Sequence, residues 1–89
     1  MVNNDGTIIV TDENNNQIKV NYIFGFEIPD FNKRYVVYTI NPDMNAKTNK
    51  VLISEMEYDT YDIKSIPEEE ISTVMEYYNY IVDKITSEQ

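Results

Sequence analysis

The chain reads as an α+β domain: an antiparallel β-meander of four to five strands with one C-terminal amphipathic helix packed on one face. Three observations predict it. Residues 17–28 place Ile18, Val20, Tyr22, Phe24, Phe26 and Ile28 on one register and Gln17, Lys19, Asn21, Ile23, Gly25 and Glu27 on the other. That period of two marks a strand with one wet face. Near the end of the chain, Ile71, Val74, Met75, Tyr78, Ile81, Val82 and Ile85 follow steps of three and four, which is one apolar helical stripe. Short polar stretches separate the apolar runs, as hairpin connections do. The six-residue face of the long strand needs a cover, and the helix is the candidate for all of it.

Taken in order, residues 1–6 are polar and expected to fray. Residues 7–11, TIIVT, are β-branched and read as the first strand. The turn DENNN follows, because Asn and Asp tolerate left-handed backbone and bond their own main chain. In the long strand, Gly25 is the expected place for a kink. Residues 29–32, PDFN, make the next turn. Residues 33–40, KRYVVYTI, form the third strand, in which either alternate set suits burial. A strand apolar on both sides is central or sits at a partner surface. Residues 41–49 are expected to be an exposed, mobile loop. Residues 50–58 read as the fourth strand, and residues 61–64 as a fifth edge strand or as irregular chain.

The helix opens on Ser65-Ile66-Pro67-Glu68, the spacing of a capping box. Pro67 sits in the first turn, where its missing N–H costs little. Glu68, Glu69 and Glu70 then meet the positive end of the helix dipole, and Lys84 suits the other end. From residue 66 to 86 the helix would run roughly 30 Å, long enough to lie along the strand.

Composition bounds the function. The 89 residues form a single small domain spanning 1–89, and 42% hydrophobic content suffices for one core. There is no cysteine and no histidine. Disulfides, thiolate metal sites and histidine bases are therefore excluded, and a reducing compartment fits. No apolar run is long enough to span a bilayer, and the N-terminus lacks the basic, apolar pattern of a secretory signal. Sixteen acids against seven bases give a net charge of −9. Such a surface repels phosphate backbones and anionic membranes, so neither nucleic acid nor membrane is expected as a partner. A basic protein is the natural complement; simple solubility is the plain alternative.

Candidate contact residues follow from this. Glu55, Glu57, Asp59 and Asp62 cluster before the helix, and Glu68 and Glu69 lie in its first turn. Each is also accounted for as a solvated strand row or as favourable helix electrostatics. As cation ligands they lack the dense Asp/Asn loop with a glycine that calcium requires. Among eight tyrosines, Tyr77 at the border of the stripe and Tyr80 nearly opposite it are the best contact candidates, joined by Tyr35 or Tyr38. No catalytic residue, cofactor or metal is expected. The two glycines rule out a phosphate-binding loop, and no carboxylate pair comes with a cleft.

The order of features also resembles a known family. Thr11-Asp12-Glu13 with an Asn-rich turn, the alternating strand, Tyr35-Val36-Val37-Tyr38, a variable polar loop, Val51-Leu52-Ile53-Ser54-Glu55 and a closing acidic helix resemble the DUF1292 family, the YrzB-like small acidic bacterial proteins. The resemblance implies a cytoplasmic bacterial setting and no assigned activity or site. The expected function is a non-enzymatic interaction or regulatory module for a basic partner. The alternative is an acidic nucleic-acid mimic that inhibits a DNA- or RNA-processing enzyme. The two-sided third strand leaves a homodimer open.

Overall fold

The computed structural model describes residues 6–40, 50–57 and 59–87. Five strands precede one helix: β1 (Thr7–Thr11), β2 (Gln17–Ile28), β3 (Lys33–Thr39), β4 (Leu52–Met56), β5 (Ile63–Lys64) and α1 (Glu68–Ser87). The strands form one sheet in the order β1-β2-β3-β4-β5, every neighbour antiparallel. The α+β meander with a C-terminal helix is the fold that the sequence predicts. The expectations for residues 1–5, 41–49 and 58 fall outside the described residues.

The turns use the chemistry their residues offer. Asp12 Oδ1 accepts the N–H groups of Asn14 and Asn16, both at 2.9 Å, and Asn15 takes the left-handed conformation with φ 68°. At the second turn, Asn32 does the same with φ 53°, and Phe31 N–H closes on Ile28 C=O at 3.1 Å. Asparagine tolerates this backbone because its short polar side chain bonds locally.

The sheet curls until its two ends meet. Thr11 forms an isolated parallel bridge to Asp62, and its N–H donates to Tyr61 C=O at 3.1 Å. Glu13 adds a carboxylate oxygen that accepts the Ser65 N–H at 2.7 Å. The curl creates an inner and an outer face, each with its own core. Inside lie Ile8, Val10, Val20, Val36, Tyr38, Met56 and Ile63, with Ile18 and Tyr22 packed against them. Outside, Phe24, Phe26, Ile28, Tyr35 and Val37 of the sheet pack against Val74, Tyr77, Tyr78 and Ile81 of α1. Residues 35–38 of β3 are thus buried on both sides within one chain, so the two-sided third strand needs no second copy to cover it.

The division of β2 corrects the expectation that one helix covers its whole apolar register. Tyr22 pairs with Tyr38 and Phe24 with Val37, leaving Ile23 as an extra residue. This β-bulge shifts the phase of the pleat. Ile18, Val20 and Tyr22 therefore point into the curl, while Phe24, Phe26 and Ile28 point to the helix. The irregularity lies two residues before Gly25, the expected kink. Gly25 has another constraint: a Cβ there would meet Tyr35 O at 3.2 Å and Tyr22 Oη at 3.3 Å. Val20, Phe26 and Ile28 are buried as expected, whereas Ile18, Tyr22 and Phe24 are half-buried.

Several boundaries also move. β3 stops at Thr39, and Ile40 is exposed. β4 is confined to Leu52–Met56, and β5 to two residues. Tyr61 stays outside β5 with φ 60°, a left-handed backbone that the seam with Thr11 holds in place. No capping box forms. The Ser65 amide is taken by Glu13 rather than Glu68, and α1 begins at Glu68 with Glu70 N–H donating to Pro67 C=O at 2.9 Å.

Candidate interaction surfaces

The expected acidic cluster divides into neutralised and free groups. Glu55 faces the helix side of the sheet and lies 3.3 Å from Lys33 Nζ. That ammonium also meets Glu70 Oε2 at 2.9 Å, and Glu70 Oε1 accepts the Tyr35 hydroxyl at 2.9 Å. The register makes this meeting possible, because Tyr35 is opposite Glu55 on β4 and Lys33 is two residues along on the same face of β3. Glu70 arrives from the first turn of α1, one turn before the buried Val74.

The contacts shift Glu70, Lys33 and Tyr35. The Lys33 hydrogen bond, followed by that from Tyr35, holds the Glu70 carboxyl below its usual value. Lys33 is raised by its bond to Glu70 and then by Glu55, against partial desolvation. Burial first, and the bond to Glu70 second, push the Tyr35 phenol up. These groups fasten α1 to β3, and Glu55 is spent in that fastening rather than offered to a partner.

The other acids stand apart. Glu57 is exposed and only loosely paired with Lys64 at 3.9 Å. Asp59 is exposed in the turn before β5. Asp62 is half-buried and carries the bridge to Thr11. Glu68 and Glu69 are exposed at the start of α1. No three acidic side chains among the described residues gather to hold a cation. Nor is any helix among them long and apolar enough to cross a membrane.

The tyrosines divide too. Tyr77 stacks on Phe26 with centroids 6.3 Å apart, and Tyr78 on Phe24 at 6.1 Å. Tyr77 is therefore packed against the sheet, because α1 sits rotated toward the side bearing Glu70, Val74, Tyr77 and Ile81. Tyr80 is 63% exposed, with Lys84 Nζ 5.8 Å above its ring. Tyr35 and Tyr38 are both buried and unavailable for contact.

The same rotation leaves half of the helical stripe uncovered. Ile71 is 45% and Met75 40% exposed, and Val51 beside them is 39% exposed. They line an open groove of about 420 Å³ between α1 and β4, with Ile53, Ile66 and Tyr78 in its floor. Sequence periodicity places Ile71 and Met75 in the apolar stripe, but not which side of that stripe meets the sheet. The Lys33–Glu70–Tyr35 contact carried no comparable signal, because it joins residues far apart in the chain. Comparison with protein-family models, curated proteins and solved structures finds no match.

Proposed function

We propose that the protein is a non-enzymatic interaction module that presents an acidic surface to a basic protein partner. The observation that carries this reading is the fate of its carboxylates. Lys33 pairs with both Glu55 and Glu70, while Asp59, Glu68, Glu69 and the loosely paired Glu57 remain in solvent on a chain of net charge −9. Uncompensated charge of one sign steers partners of the other and repels phosphate. A cytoplasmic bacterial setting, and kinship with DUF1292 proteins, belong to the same proposal and rest on the resemblance of strand and turn order.

The test is capture of partners by the full chain at low salt, followed by elution with increasing salt. The reading expects a basic regulatory or ribosomal protein that elutes as salt rises. It expects that protein to be lost when Glu57, Asp59, Glu68 and Glu69 are all changed to Lys. Capture and inhibition of a nuclease or polymerase would replace it with the nucleic-acid-mimic reading. Metal-dependent turnover with no captured protein would replace it with an enzyme.

A further inference from the structure

We infer that the groove between β4 and α1 receives an extended segment of the basic partner, which adds to the sheet as a strand on β4. The inference rests on the acidic-surface reading and locates its contact. β5 pairs only with Glu55 and Met56. Among the described residues, Leu52, Ile53 and Ser54 therefore have a strand on the β3 side and none on the other. An open edge of this kind offers backbone donors and acceptors to an added strand, and an adjoining helix supplies the wall that reads its side chains. Here the wall is Ile71 and Met75, and the floor is Ile53, Ile66 and Tyr78.

Charge selects the occupant. No described residue lining the groove is charged, so the segment that lies in it carries small apolar or hydroxyl side chains. The groove has a polarity, however. Glu70 reaches Lys33 and Tyr35 beside Glu55, and Tyr78 stacks on Phe24, whose partner Val37 pairs with Ile53. α1 thus runs along β4 from the Glu55 end toward Val51. Glu68, one turn before Ile71 and exposed, stands at the first end, with Glu69 next to it, and Lys50 stands at the other. A segment antiparallel to β4, like every pair in this sheet, places its own N-terminal end beside Glu68 and bears its Lys or Arg there. A second copy fits poorly. Two chains of −9 repel, whereas a basic segment is attracted.

The test titrates the ¹⁵N-labelled full chain with the capped peptide Lys-Lys-Val-Thr-Val-Thr-Val. It also uses two forms N-methylated at alternate amides in opposite phases, and oligolysine. The inference expects amide shifts at Leu52, Ile53 and Ser54 and side-chain shifts at Ile71 and Met75. One phase of methylation should abolish binding and the other should spare it, because alternate amides of a strand face one edge. Met75→Lys, at an exposed position, should weaken binding by about tenfold with the Phe24 and Tyr78 signals unmoved. Equal binding by both methylated phases, or shifts confined to the acidic residues, would overturn it. Oligolysine binding without preference for the peptide would leave the acidic-surface reading standing and remove the groove; binding by neither would remove both. The same amide shifts on concentrating the free chain would assign the groove to a second copy and overturn the inference.

Discussion

The Tyr35 hydroxyl donates a 2.9 Å hydrogen bond to Glu70 Oε1, joining the middle of the sheet to the first turn of the helix. Lys33 holds the other oxygen of the same carboxylate at 2.9 Å. Removing the phenolic oxygen takes one donor from a charged acceptor while leaving the ring packed. Tyr35→Phe should therefore lower the unfolding free energy by about 1 kcal/mol, read as a lower urea midpoint at unchanged slope.

This network predicts stability losses at both ends of the pH scale. Glu70 has a folded value below its usual 4.5. Its contribution is present above 4.5 and disappears as pH falls through the lower folded value. Tyr35 and Lys33 are raised above 10.0 and 10.5. Their contributions are present below those values and disappear as pH rises through the folded ones. Urea midpoints across pH should show a plateau that declines on both sides. Glu70→Gln should flatten the acid limb, and Tyr35→Phe should remove the phenol's share of the alkaline one.

The bulge predicts an unusual tolerance. Deleting Ile23 leaves Tyr22 opposite Tyr38 and Phe24 opposite Val37 in a regular ladder, so every later side chain keeps its face. Deleting Asn21, which pairs with both Thr7 and Thr39, breaks two registers. The first deletion should fold cooperatively with native-like hydrogen exchange in β3, and the second should not.

At Gly25 the contact with Tyr35 O is to backbone held in the β2–β3 ladder, which cannot easily give way. Gly25→Ala should cost about 1 kcal/mol despite the lower entropy of alanine's unfolded chain. A higher midpoint than that of the wild type would show that Tyr22 and the ladder relax around the methyl.

Helix docking should depend on one face only. Val74 of α1 is fully buried against the sheet, and Val74→Ala should cost about 2 kcal/mol. Met75, 40% exposed on the groove side, should lose no more than about 0.5 kcal/mol as alanine. Equal losses would mean that the groove is filled in solution.

Much of the architecture was legible because its signals are local. Period two in residues 17–28, period three to four after Glu68 and Asn- or Pro-marked turns are enough for strands, helix and meander. The change of face within β2 was hidden. A bulge inserts one residue without altering the alternation of Ile18 through Ile28, so the pattern looks the same whether or not the strand switches sides. The fate of Glu55 was hidden as well, since its neutralisation by Lys33 depends on strand register and on a helix arriving from elsewhere. Glu57, Asp59, Glu68 and Glu69 are exposed, and of these Glu57 meets a cation, the loosely paired Lys64.

The face switch in β2 decides which residues the helix covers, and an aromatic and methyl NOESY spectrum tests it most directly. The structure predicts cross-peaks from Phe24 to Tyr78 and from Phe26 to Tyr77, with Val20 seeing Tyr38 and the inner face. Cross-peaks from Ile18 or Val20 to Val74 or Ile81 would contradict it and return the whole strand to one side of the sheet.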